Sequence, residues 1–241
     1  MCYKKEKVRK EDKKMEFIVA VDGPAGSGKG TITKIVGESE NLVYIDTGAL
    51  YRCVTLCMIR KKVGLDEKEK INEILNTINI EFKKENDQKL VYLNGENVSR
   101  EIREAEVNKL VSQVSHIIEV RESITDLSRK IAKGKQVIME GRDIGTNVFP
   151  NADIKIYLDA SAEERAKRRL KQNEEKGINI PFEEIVENIK FRDNNDKTSK
   201  IAPLKQAEDA IYIDSSNMTI EEVSKEVIKI IREKRREEND V

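Results

Sequence analysis

The sequence predicts a three-layer α/β domain around a five-stranded parallel sheet, and three observations point to it. Short runs rich in Val and Ile recur along the chain, helical patterns with start and stop signals separate them, and a glycine-rich turn follows the first run at once. Residues 16–22 (EFIVAVD) lack helical periodicity, so they read as a buried parallel strand. Residues 42–46, 136–140, 154–159 and 211–214 are short apolar runs of the same kind and supply the other four strands. Between the last two runs, Ser161 with Glu164 three residues on forms a capping box, and Gly177 closes the helix it opens. Thr219 with Glu222 opens the final helix in the same way.

One stretch breaks the alternation. Residues 78–83 (INIEFK) and 89–94 (KLVYLN) flank a polar turn, and Asn94-Gly95 is a second turn signal, so an antiparallel insert is expected over 62–103. The main body is then 15–61 and 104–236, with a long helical pair at 105–133 leading to the third strand. Residues 172–181, polar and containing Gly177, read as a short lid between two helices. Residues 1–14 carry seven basic and three acidic side chains with no apolar run behind them, which reads as a disordered basic tail rather than a secretory signal. Residues 237–241 read as a second tail.

Composition narrows the class of function. With 45 Lys+Arg against 45 Asp+Glu, the 241-residue chain lacks the basic excess of a generic nucleic-acid coat. Charged residues make up 37%, well above the roughly 25% of an average soluble domain, and no apolar run approaches the roughly 18 residues of a membrane span. Cys2, Cys53 and Cys57 are odd in number and form no paired framework, which fits a reducing cytoplasm. No nucleic-acid or membrane partner is therefore expected, and the chain is expected to be a monomer.

The motif that carries chemistry is Gly23-Pro24-Ala25-Gly26-Ser27-Gly28-Lys29-Gly30-Thr31. A G-x4-G-K string placed between a strand and a helix is a phosphate cradle: backbone N–H groups point at phosphate oxygens, the helix N-terminus adds a favourable dipole, and Lys29 neutralises the β and γ oxygens. The strict motif wants Ser or Thr directly after the lysine. Here Gly30 intervenes, which leaves open whether Mg²⁺ is reached by Thr31 or through water. Arg52 and Arg142 follow strand ends, at the carboxyl edge where ligands bind in open α/β sheets, and are candidates to clamp a second, acceptor phosphate. Taken singly, each is equally readable as a surface ion-pair partner.

Beyond the cradle, the chain resembles the bacterial-type cytidylate kinase family of P-loop nucleoside monophosphate kinases. The resemblance rests on residues 23–31 (GPAGSGKGT), 46–52 (DTGALYR), 98–102 (VSREI), 140–145 (EGRDIG), 148–150 (VFP), 159–165 (DASAEER) and 201–204 (IAPL), and runs from about 16 to 232. It implies a P-loop NTPase fold whose insert is an acceptor-binding subdomain, ATP and Mg²⁺ as donor and metal, and CMP or dCMP as acceptor. It also assigns Thr47, Tyr51, Arg52, Ser112, Arg121, Arg142, Asp143, Arg192 and Asp196 to the CMP site. Ser112, Arg121 and Asp143 have the right donors and acceptors to read cytosine and reject uracil. Arg192 and Asp196 either hold a sugar hydroxyl or form an ordinary i,i+4 ion pair. The catalytic cations are expected to be Lys29 and Arg142, joined by Arg165 and Arg168 of the 165/168/169 cluster, unless that cluster is only a solvated face answering Glu163 and Glu164. One departure stands out: the family pattern R-D-x-x-D-x-x-R would place Arg at position 199, and this chain has Ser199, which predicts weaker CMP binding or looser base selection.

Overall fold

The computed structural model describes residues 16–85, 88–175, 177–199 and 201–239; the tail expected over 1–14 lies outside the described residues. The main sheet contains β1 (Phe17–Asp22), β2 (Val43–Asp46), β6 (Gln136–Gly141), β7 (Ile154–Asp159) and β8 (Ile211–Asp214), in the order β2-β6-β1-β7-β8 with every pair parallel. β1 is central: Val19 sits opposite Ile138 of β6 on one side and Ile154 of β7 on the other.

Period-two alternation makes the three layers. Val19 and Val21 of β1, with Ile138, Ile156 and Leu158, pack under α1 (Lys29–Ser39) and α8 (Ile220–Asn239), while Ala20, Val137 and Met139 turn to the opposite face against Ala132 and Ile144. These strands are buried on both faces, so they read as continuous apolar runs in the sequence. α8 is fixed to the C-terminal end of α1 by Arg232 and Arg235, which both reach the buried Glu40 carboxylate. It runs on to Asn239, into the segment read as a tail, of which residues 240 and 241 lie outside the described residues.

Between β2 and β6 come α2 (Thr47–Lys61), α3 (Lys68–Thr77), β3 (Ile80–Glu85), β4 (Gln88–Leu93), β5 (Glu96–Asn97), a 3-10 turn (Glu101–Arg103), α4 (Ala105–Val114) and α5 (Ile118–Ala132). β3, β4 and β5 form an antiparallel sheet, and Ile71, Ile74, Val91 and Leu93 share one continuous core with Leu50, Val54 and Met58 of α2 and Ile124 of α5. α2 starts at an Asp46 side-chain cap on the Ala49 N–H and ends at Lys62 in the left-handed region.

The last connection runs through α6 (Ala162–Glu174) and α7 (Phe182–Thr198). Ser161 caps α6, but only half of the expected capping box forms. The Ser161 N–H is taken by Ser216, and Glu164 pairs with Arg168 instead. At α8 the box is complete, with Thr219 and Glu222 bonding reciprocally. Gly177, at φ +69°, follows the end of α6, and its N–H bonds back to Glu174 O.

Candidate active site

The loop between β1 and α1 is shaped by close approach. A Cβ at Gly23 (φ +149°) would lie 2.0 Å from Leu158 O of β7, so only glycine passes there. A Cβ at Gly30 would meet the Glu140 carboxylate at 2.9 Å, so a side chain there would require the carboxylate to move. No side chain caps the N-terminus of α1, and its first turn holds no acid, so its amides are left for an anion. Thr31 lies exposed on that turn.

Lys29 is buried, with its ammonium folded onto the loop carbonyls of Gly23 (2.7 Å) and Pro24 (2.8 Å). Burial lowers its pKa to about 7, and Arg142 adds to the shift, while Glu140, Asp22 and Asp196 oppose it. Glu140, at the end of β6, is raised by burial to about 7 and accepts a hydrogen bond from the Tyr44 hydroxyl. Asp22, at the end of β1, is raised by burial to about 6, although it accepts the N–H groups of Ile144 and Gly145 at 2.8 and 2.7 Å. Sequence reasoning gave Asp22 and Glu140 no role. The available signal was an acidic residue at the carboxyl end of each of the two strands flanking the loop.

The four predicted catalytic cations meet, but most of their donors are engaged within the protein. Arg165 is buried: its Nε donates to Ala160 O, its Nη1 to Ala25 O, and its two outer nitrogens grip Asp193 at 2.9 and 2.6 Å. Arg168 reaches Ser27 O (3.3 Å) and Ser215 O (2.6 Å). Arg169, expected to share a face with Arg165, lies exposed while Arg165 is sunk beneath the loop. Arg142 donates Nε to Asp196 at 2.8 Å, so the Asp196 carboxylate pairs across 54 residues and not with its helix neighbour Arg192.

On the acceptor side the charges crowd. Arg52 is pushed down from the usual arginine pKa, first by desolvation, with Arg103, Arg192 and Arg169 adding repulsion and Asp46 opposing. Arg192 is lowered by desolvation and by Arg142, with Arg169 adding. Arg192 and Arg169 act on Arg52, and Arg142 and Arg169 on Arg192, so the cations brought by α2, the β6 end, α6 and α7 neighbour one another near the carboxyl edge of the sheet, the candidate acceptor crevice. Beyond them Arg121 and Asp143 form a buried pair at 2.8 Å, with the Tyr51 ring 5.7 Å from the guanidinium centre. Ser112 is tied in through the backbone: its carbonyl accepts from His116 Nδ1, and Ser115 O accepts from Arg121 Nε. His116 lies in the turn between α4 and α5. The Thr47 hydroxyl donates to Glu140 O at 2.7 Å, joining the start of α2 to the end of β6. Ser199 sits at the end of α7, its hydroxyl oxygen buried without a hydrogen-bond partner among the described residues.

Comparison with known proteins identifies the family. The cytidylate kinase family model matches residues 19–233. The cytidylate kinase of Caldicellulosiruptor bescii is 47% identical over 212 residues, covering 88% of this chain and 94% of its own. That of Alkaliphilus oremlandii is 46% identical over 219 residues, covering 90% and 99%. That of Fusobacterium nucleatum is 45% identical over 218 residues, covering 89% and 98%. A family match over nearly the whole chain, and relatives 45–47% identical over about nine-tenths of it, lead to one statement: this chain belongs to the cytidylate kinase family of nucleoside monophosphate kinases.

Proposed function

We propose that the chain transfers the γ-phosphoryl of ATP to CMP or dCMP, giving CDP or dCDP and ADP, as a cytoplasmic monomer acting on small molecules. The observation that carries this reading is the crevice itself, with the Lys29 cradle on one side and the converging Arg52, Arg142, Arg169 and Arg192 on the other.

The backbone N–H groups from Gly26 to Thr31 hold the donor phosphates, and Lys29 swings from its loop carbonyls to the β and γ oxygens. Arg52 and Arg192 hold the acceptor phosphate, and Arg142 bridges the two sides. An acceptor oxygen, already ionised at neutral pH, attacks the γ-phosphorus as the bond to the β-bridging oxygen breaks, so no general base is needed. Arg165, with four hydrogen bonds to the loop, the α6 start and Asp193, acts best as a strut that couples α7 to the cradle, while Arg168 supports the loop at Ser27.

Mg²⁺ fits as an ion carried by the triphosphate. Among the described residues no group of three acidic, His or Cys side chains would hold a metal alone, whereas the exposed Thr31 hydroxyl and the Glu140 carboxylate flank Gly30 at the cradle. Thr31, and Glu140 through water, would hold the ion, which when bound neutralises β and γ oxygen charge.

Asp143 accepts from the cytosine amino group and Arg121 and Ser112 donate to its acceptors; a uracil carbonyl would face the Asp143 carboxylate and be rejected. Asp196 takes a sugar hydroxyl. Residues 62–103 serve as the acceptor-binding subdomain and 172–181 as the lid that excludes water on closure. The test is ADP release with ATP and Mg²⁺ and each of CMP, dCMP, UMP, AMP or no acceptor. Release that depends on CMP or dCMP supports the reading; release indifferent to acceptor would mean a nucleotide-hydrolysing switch instead.

A further inference from the structure

We infer that Asn108, on α4, is the positioning residue that aims the Arg52 guanidinium at the acceptor phosphate. The inference rests on the reading of Arg52 as an acceptor-phosphate cation. Arg52 Nη1 donates to Asn108 Oδ1 and to Ile102 O at 3.3 Å. The Asn108 amide nitrogen donates to the carbonyls of Arg103 (2.6 Å) and Glu104 (2.9 Å) at the start of α4. Those two bonds fix which way the amide points. Flipped, it would set its own N–H groups against the guanidinium and its oxygen against two carbonyls.

The consequence lies in what is left over. Both Nη1 hydrogens are engaged, whereas Nε and Nη2 carry no hydrogen bond among the described residues. That free edge of the fork presents parallel donors, the arrangement that meets two oxygens of a phosphate monoester. Arg52 is also a side chain with reason to leave. Arg103, Arg192 and Arg169 repel it and the Asp46 carboxylate attracts it, so an untethered guanidinium is under a net pull from its present position. Asn108 and Ile102 O hold it against that pull.

The test is a double-mutant cycle on the whole protein with Asn108→Ala, Arg52→Ala and the pair, varying CMP and ATP separately. Asn108 is exposed and Ala is the better helix former, so the single variant keeps the fold, checked by its melting temperature. Expected for Asn108→Ala is a rise of about five- to tenfold in KM for CMP with KM for ATP unchanged, the size of a lost charge-assisted contact at an exposed site. The rise should vanish in the Arg52→Ala background. Inhibition by cytidine, which has no phosphate, should be the same with and without Asn108→Ala. An unchanged KM for CMP, additive effects in the pair, or equal weakening of cytidine would overturn the role of Asn108 while leaving Arg52 in place. No rise in KM for CMP in Arg52→Ala itself would instead remove the acceptor-phosphate reading of Arg52, and this inference with it.

Discussion

The donor cradle and the acceptor crevice are built in opposite ways. The cradle is nine consecutive residues in a backbone path enforced by glycine, with a buried lysine already bonded to its own loop. The crevice is assembled from α2, α4, α5, the β6 end, α6 and α7, and its cations are partly exposed, repel one another and lean on carboxylates and amides supplied from elsewhere. A contiguous loop can preorganise phosphate binding by itself. An arginine cluster needs counter-charges and tethers to stay assembled while empty.

The sharpest break between the two sides is Lys29→Met, which should cut kcat about a thousandfold with KM for CMP nearly unchanged, because a cradle donor acts on the transferring group. A change confined to KM for CMP would erase the distinction. Next in size is Asp193→Ala, which leaves the Arg165 guanidinium buried without its partner and should cost about 3 kcal/mol in denaturant unfolding. The exposed pair Lys167–Glu163 on the same helix is the control, and Glu163→Ala should change stability by no more than about 0.5 kcal/mol. Smaller again is Arg192→Ala, expected to lower kcat/KM for CMP about tenfold in steady-state assays while KM for ATP holds.

Protonation separates the sides more gently. With the Lys29 pKa lowered to about 7, its empty-state ammonium is increasingly neutral as pH rises above 7. A bound triphosphate raises that pKa, so Lys29 takes up protons on ATP binding. Calorimetry at pH 8 in buffers of different ionisation heat should show proton uptake with ATP; CMP alone should show much less. The least effect is expected for Ser199→Arg, which places a fork where the buried, unpartnered hydroxyl now sits and should lower KM for CMP by about two- to threefold. An unchanged or higher KM would mean that the departure at this position is not what limits CMP binding.

Much of this molecule was legible before its structure. β1, β6 and β7 were readable because parallel strands buried on both faces leave unbroken apolar runs, the half-exposed edge strands β2 and β8 because they are short runs of β-branched and aromatic residues, and the ends of all five agree within two residues with the expected ones. The cradle was readable because its chemistry is local. What escaped is what depends on partners far apart in sequence. Arg192 and Asp196 share a helix spacing that suggests a pair, yet Asp196 is held by Arg142 from the β6 end. Arg165 and Arg169 share a spacing too, but α7 packs over α6 and buries only the first, against Asp193. Glu164 fits a capping box, but Ser216 takes the N–H it would have accepted. Asn108 carries no motif at all, and only the closeness of α4 to α2 gives its amide a use.

The sequence alone determined the strand order along the chain, the glycine positions of the cradle and the identity of its lysine, because those are carried by periodicity and by one contiguous motif. Tertiary structure decided which carboxylate neutralises which arginine, which cation is buried as a strut and which is left facing the crevice. Those choices turn on distances of a few ångströms between elements 50 or more residues apart, as in Arg52 with Asn108 and Arg142 with Asp196, where Coulomb and hydrogen-bond energies are decided by burial and geometry rather than by spacing along the chain.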